Sequence, residues 1–164
     1  MGVVAAKVYK DKIVMAADSI VVRGRSKRID NGIVKINKIN DMIVGSTGYA
    51  QELSLMWQYM TTHKPATATE KDVLDFVIEF SRWKRDLIGS YSVDNTYLMA
   101  YDGHLFQIEN MLVCEVSEWI AIGTGEGFAT AALYLGNNPR DAVKVACELS
   151  CLVAEPIIEY TMQK

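Results

Sequence analysis

The sequence predicts an α+β chain built as a four-layer α/β/β/α sandwich: two antiparallel sheets stacked face to face, with helices on both outer sides. Three observations predict it. Short β-type runs crowd the first 46 residues, a second set lies between residues 97 and 122, and each set is followed by a pair of helical segments. Strands and helices do not alternate singly, which disfavours a doubly wound parallel sheet. Asp102-Gly103 joins two apolar runs directly, the strongest hairpin signal in the chain. With 164 residues, half of them apolar, one domain over residues 1–164 with a substantial core is expected.

Residues 3–9 and 13–18 are β-type runs separated by Lys10-Asp11-Lys12, a hairpin reading. Residues 20–22 run on into Arg23-Gly24-Arg25-Ser26-Lys27-Arg28, a loop or exposed ribbon. Residues 33–39 alternate Ile33, Lys35, Asn37 and Ile39 against Val34, Ile36 and Lys38, and residues 42–46 form another strand that Thr47-Gly48 ends. A helix over 49–61 places Leu53, Met56, Trp57 and Met60 on one stripe, and Val73, Phe76, Val77, Phe80 and Trp83 mark a second. Thr69 with Asp72 gives that second helix a capping start, and Gly89 a stop. Strands return at 97–101, 104–109, 112–116 and 119–122. Gly123-Thr124-Gly125-Glu126-Gly127 opens a helix running to Leu135, and Asn138-Pro139 begins another with Ala142, Val143, Ala146, Leu149 and Val153 inward. Residues 156–161 read as a last strand.

Composition excludes several functions. A net charge of -3 with 23% charged residues fits neither nucleic-acid wrapping nor a disordered acidic tail. Cys114, Cys147 and Cys151 lack metal-type spacing and read as reduced core thiols, Cys147 and Cys151 sharing a helix face, in keeping with a cytoplasmic protein. No targeting segment or membrane-length apolar run is visible, and Met1-Gly2 lacks the Ser or Thr that myristoylation wants at the sixth position, where Ala6 stands. His63 and His104 are isolated from each other and from cysteine, so neither a metal site nor a Ser/His triad is supported. The glycine turn at 123–127 has the look of a phosphate cradle but lacks the following Lys-Ser/Thr. No cofactor, metal, nucleic acid or membrane is expected.

Four landmarks occur in order: Ala16-Ala17-Asp18-Ser19 at a strand end, Lys35-Ile36 with Ile39 three residues on, Ser46-Thr47-Gly48-Tyr49-Ala50-Gln51-Glu52, and Ala121-Ile122-Gly123-Thr124-Gly125. Together they resemble proteasome β-subunits and the bacterial HslV peptidase, over nearly the whole chain. The resemblance implies the N-terminal-nucleophile hydrolase fold, the same four-layer sandwich. It also implies a homo-oligomer, a ring in that family, acting on peptides. In that family the N-terminal Thr hydroxyl attacks a peptide carbonyl, and its own α-amine or an adjacent water takes the proton. A lysine lowers the hydroxyl pKa, an Asp orients the lysine, and an N–H at a glycine turn stabilises the oxyanion. By position, Asp18 matches the orienting carboxylate, Lys35 the lysine, Gly48 the oxyanion glycine, and Thr124 a Ser beside the nucleophile.

The departures are as informative. Counting back from Asp18, the nucleophile position falls on Gly2, which has no side chain. The family's second Asp and Ser fall on Ser150 and Val153, and its Gly-Gly on Ala154-Glu155. The resemblance with these departures implies a non-catalytic oligomeric binding or scaffold protein. The alternative is an active threonine-type endopeptidase whose native N-terminus is masked or altered here. Another amidohydrolase of the fold would need a Cys, Ser or Thr within Met1 to Ala6, where none occurs. Plainer roles stand beside each matched residue: Asp18 as a turn cap, Lys35 as a paired structural lysine, Thr124 as a helix N-cap. Arg23, Arg25, Lys27 and Arg28 would give the pocket a basic rim suited to an anionic ligand, a nucleotide or acidic peptide; they equally suit a solvated loop or subunit contact.

Overall fold

The structure, a computed structural model, describes residues 1–23, 26–29 and 34–164. Its first hairpin is β1 (Val3–Val8) and β2 (Lys12–Ala17), paired antiparallel with Val4 opposite Ala17. Val3 through Ala6 and Ile13 through Ala17 are buried without alternation. A strand buried on both faces reads as one apolar run, and that is what an inner layer requires.

A ribbon of β3 (Ile20–Arg23) and β4 (Ser26–Ile29) follows, then β5 (Ile36–Ile39), β6 (Met42–Thr47), α1 (Ala50–Met60) and α2 (Glu70–Ile88). Next come β7 (Thr96–Tyr101), β8 (His104–Glu109), β9 (Leu112–Glu115), β10 (Trp119–Gly123), α3 (Glu126–Tyr134), α4 (Pro139–Leu149) and β11 (Ile158–Gln163). One sheet has the order β10-β1-β2-β11 and the other β5-β6-β7-β8-β9, every pairing antiparallel.

Burial sorts into three slabs, which define four layers. Val4, Ala6, Ile13 and Met15 of the first sheet meet Ile43, Leu98, Ala100 and Leu105 of the second. Their neighbours Val3, Ala5 and Ala16 face Ala129, Ala132, Ala142 and Ala146 of α3 and α4. On the other side, Met42, Val44, Tyr97 and Met99 face Met56, Met60, Phe76 and Phe80 of α1 and α2. Small alanines let α3 and α4 lie close to their sheet, whereas aromatic and Met side chains fill the wider α1/α2 layer.

Local signals act where the sequence places them. Asp102 (φ 47°) and Gly103 (φ 79°) make the β7–β8 turn, Thr69 Oγ1 accepts the Asp72 N–H at the start of α2, and Gly89 ends that helix at φ 75°. Asn138 caps α4 by accepting the Asp141 N–H, with Pro139 in its first turn. Of the basic segment, Arg23 and Ser26 to Arg28 pair as a ribbon; Gly24 and Arg25 lie outside the described residues.

Other expectations need correction. Cys114 and Cys151 are exposed and so are not core thiols, whereas Cys147 is half-buried against the α3/α4 layer; α4 ends before Cys151, which therefore shares no helix face with Cys147. Leu149 is 63% exposed because it is the last residue of α4, past the residues that pack against the sheet. On α1, Trp57 is only partly buried; Tyr59 takes the core position and stacks on His63 at 4.0 Å between ring centres. Among the described residues no helix is long and apolar enough to cross a membrane. No group of three or more His, Cys, Asp or Glu among them is placed to hold a metal ion.

Candidate functional site

Asp18 follows the last residue of β2 and is fully buried. Its Oδ1 accepts Lys35 Nζ at 2.6 Å and the Val3 N–H at 2.8 Å. Its Oδ2 accepts the N–H groups of Ile20 at 3.0 Å and Ala154 at 3.2 Å. A carboxylate removed from water is tolerable only when its lone pairs are used this fully. Asp18 thus does more than cap a turn, because it ties four separate segments together. Lys35 precedes β5, with one tenth of its side chain exposed. Burial pushes the Lys35 ammonium below its ordinary value, and Asp18 opposes that shift by charge and by hydrogen bond.

Gly2 lies directly against this pair. Its φ is +101°, and a Cβ added there would sit 2.0 Å from Lys35 Nζ and 2.4 Å from Asp18 Oδ1. The lysine head group fills the space into which a side chain at position 2 would project. Thr124 Oγ1 accepts the Gly2 N–H at 2.9 Å, and its hydroxyl donates to Gly2 O at 3.3 Å, joined there by the Gly125 N–H at 3.2 Å. Thr124 is therefore not the cap of α3; that position is Gly125, and no side chain caps the helix. The Met1 α-amine is also pushed below its ordinary pKa, by burial and then by Lys35, with Asp18 opposing.

A side chain at position 2 meets both a left-handed backbone and an occupied space. Gly2→Thr is expected to destabilise the protein by at least about 1–2 kcal/mol, the strain of a positive φ alone. Urea unfolding checks this, and an unchanged midpoint would show that Lys35 and the backbone yield freely.

Gly48 follows β6 at φ +134°, and a Cβ there would meet Asn95 Oδ1 at 2.1 Å. Asn95 grips the next peptide from both ends. Its Oδ1 accepts the Tyr49 N–H at 2.6 Å, and its Nδ2 donates to Tyr49 O at 2.9 Å. Asn95 is held in turn by Glu52, whose Oε1 accepts the Asn95 N–H and the Tyr97 hydroxyl, both at 2.9 Å. Glu52 Oε2 accepts Lys84 Nζ at 2.6 Å and the Asp94 N–H at 3.2 Å, and Lys84 also donates to Ser92 O. Burial alone would raise the Glu52 pKa; Lys84, the two N–H groups and Tyr97 outweigh it and hold the carboxyl below its ordinary value. The same burial, with the Glu52 charge beside it, drives the Tyr97 phenol strongly upward.

Lys35 and Gly48 share a cavity of about 570 Å³, walled by Ile20, Val21, Leu53 and Ser46 among others. Ser46 is buried, and its hydroxyl has no partner among the described residues. The structure therefore joins Asp18 to Lys35 and Thr124 to Gly2 by hydrogen bonds, with Gly2 beside the Lys35 head group and Gly48 on the wall of the cavity that Lys35 lines. A more open hollow of about 990 Å³ lies beyond the far end of β1, around Val8, Lys164 and the exposed His104–Glu115 pair; none of the matched residues line it.

Of the basic cluster, Arg25 lies outside the described residues, and Arg23, Lys27 and Arg28 are described by backbone alone. Their ribbon pairs Arg23 with Ser26, Val22 with Lys27 and Val21 with Arg28, and its base reaches the cavity through Ile20 and Val21. At the other family position, Ser150 accepts the Leu152 N–H, and Val153 is buried in the α3/α4 layer. Backbone from this segment serves Asp18 instead, through Ala154.

Sequence reasoning leaves Asn95 and Lys84 unmentioned, and gives Ser46 and Glu52 a place in the 46–52 landmark but no role. One signal was present: Lys84 continues the 73-77-80 stripe of α2, and Glu52 adjoins Leu53 on the buried side of α1. Opposite charges on two core-facing stripes announce a buried pair.

No protein-family model matches the chain, and no curated protein matches it in sequence. Solved structures do match it in shape. BPH of Thiobacillus denitrificans superimposes with a TM-score of 0.87 at 20% identity, over 98% of this chain and 97% of BPH. BPH in complex with epoxomicin gives 0.84 at 20% identity, over 98% of both chains. HslV from Trypanosoma brucei gives 0.70 at 18% identity, over 99% of both. At such identities the likeness is one of architecture, and it runs over nearly the whole of each chain. The chain has the proteasome β/HslV-like fold, the α/β/β/α sandwich of the N-terminal-nucleophile hydrolases.

Proposed function

We propose that this chain is a non-catalytic binding or scaffold protein of the HslV-like fold, which takes a ligand in the cavity beside Lys35 and associates with copies of itself. The observation that carries the reading is Gly2. It offers no hydroxyl or thiol, its backbone disfavours any other residue, and Lys35 Nζ fills the space a nucleophilic side chain would need. The retained pair has a sufficient structural reason to persist, since breaking a buried pair on one side is strongly destabilising. Self-association is supported by large apolar side chains on the outer helix layer, with Tyr134 77%, Leu135 79% and Leu149 63% exposed.

A second reading is favoured by the intact corner of Asp18, Lys35 and Thr124 with Gly48 nearby: a threonine-type endopeptidase of a ring, whose native N-terminus is masked or altered here. BPH has been captured with epoxomicin, which makes that compound the discriminating probe. The native protein, its N-terminus read by intact mass, is expected to show no epoxomicin adduct and no cleavage of fluorogenic peptides. An adduct on an N-terminal Thr would overturn the non-catalytic reading. Light scattering checks association, and a monomer at working concentration would remove that part.

A further inference from the structure

We propose that Lys35 is itself a nucleophile: an amine that forms imines with apolar aldehydes or ketones entering the cavity. The inference rests on the reading of that cavity as a ligand site, and it goes further by assigning the ligand class and the atom that bonds to it.

Three features of the geometry point to this. First, the missing side chain at position 2 is replaced by Lys35 Nζ, which a Gly2 Cβ would meet at 2.0 Å. The position at which a reactive atom would be expected is thus occupied by a nitrogen. Second, Lys35 lines the 570 Å³ cavity, which is of ligand size, and Ile20, Val21, Ala50 and Leu53 give it an apolar body. Third, a second polar residue, Ser46, lines the same space. Ile36 pairs with Gly45, so the next pair along the ladder sets Lys35 opposite Ser46, whose N–H donates to Lys35 O at 2.9 Å. Residues directly opposite in antiparallel strands present their side chains on one face. Ser46 Oγ is buried without a partner among the described residues, and a carbonyl oxygen beside Lys35 would supply one.

The chemistry balances without any further reagent. The Lys35 ammonium gives one proton to Asp18 or through it to solvent, leaving a lone pair on nitrogen. That pair attacks the carbonyl carbon, a C–N bond forms as the C=O π bond breaks, and the oxygen takes one of the two protons left on nitrogen, with Ser46 as hydrogen-bond donor to it. The proton first released returns, from Asp18 or solvent, to this hydroxyl; the C–O bond breaks, water leaves, and the protonated imine takes the place of the ammonium against Asp18. Burial favours the neutral amine, which is the reactive form, in the way that desolvated lysines are activated elsewhere.

The test uses 3-phenylpropanal with sodium cyanoborohydride on the full chain, read by peptide mass mapping. Lys10, exposed and without an ion pair among the described residues, is the internal standard. Near neutral pH, Lys35 is expected to be alkylated at least about tenfold faster than Lys10, because the cavity holds the aldehyde beside a desolvated amine. Addition of 3-phenylpropanol, which has the same body but no carbonyl, should protect Lys35 and leave Lys10 unaffected. Lys35→Arg, which keeps a cation against Asp18, should abolish the fast phase; the protection experiment needs no variant and stands if this one fails to fold. If the alcohol binds in the cavity but Lys35 stays unmodified while Lys10 reacts, Lys35 is no nucleophile and the cavity remains a ligand site. If neither compound binds and Lys35 reacts no faster than Lys10, both readings fall.

Discussion

Asp18→Ala is expected to lower the free energy of unfolding by about 3–5 kcal/mol, the usual cost of leaving one member of a buried ion pair without its partner. The substitution strands Lys35 Nζ and also orphans the N–H groups of Val3, Ile20 and Ala154, all of which Asp18 serves. Lys35→Met should be milder, because Asp18 then retains three backbone donors. The measurement is urea unfolding of both single variants and the double variant. A coupling energy near zero in that cycle would mean that the two side chains do not act as a pair in solution. Because the prediction concerns stability, it stands whether or not the site performs chemistry.

The second large effect lies at Glu52. Glu52→Ala leaves Lys84 buried without its counter-charge, and a loss of about 3–5 kcal/mol is again expected. A pH dependence follows from the sign of the shift. The Glu52 carboxyl titrates below its ordinary value of 4.5 when folded, so its stabilising contribution is complete above that value. It is lost as pH falls through the lowered folded pKa, where the native state must take up a proton it otherwise refuses. Glu52→Gln should therefore flatten the acid limb of a stability–pH curve. Glu52→Ala should also speed hydrogen exchange at the Tyr49 amide, because Asn95 would lose the acceptor that holds its backbone. Unchanged exchange at Tyr49 would show that Asn95 grips the Gly48 turn unaided.

How much of this was legible in the chain follows from the range of the interactions. Elements set by local rules were readable: the Asp102-Gly103 turn, the Thr69 and Asn138 caps, and the two strand sets with their helix pairs. Order alone placed Asp18, Lys35, Gly48 and Thr124, because the landmarks they sit in follow one another along a resembling fold. What sequence could not show was the role each takes from a distant partner. Thr124 reads as a cap by type and position, yet its hydroxyl is committed to Gly2, 122 residues away. Asn95 lies in a polar stretch that looks like any loop, and its function comes from Tyr49 and Glu52 across the fold. Cys151 and Leu149 misled for a simpler reason: a helical period was extended past the end of α4, where the chain turns away. Gly2 was legible as an absence, but only the geometry shows that the absence is filled.

The Asp18–Ala154 hydrogen bond spans 136 residues. Contacts of that separation form late, because the loop they close must first be organised by nearer pairings. During synthesis the corner that holds Lys35 cannot be completed until residue 154 has left the ribosome, by which point most of both sheets has emerged. A chain interrupted before that residue would have every residue that lines the cavity, yet only three of the four donors to Asp18. The anchor of Lys35 is in this sense completed last, after the walls around it.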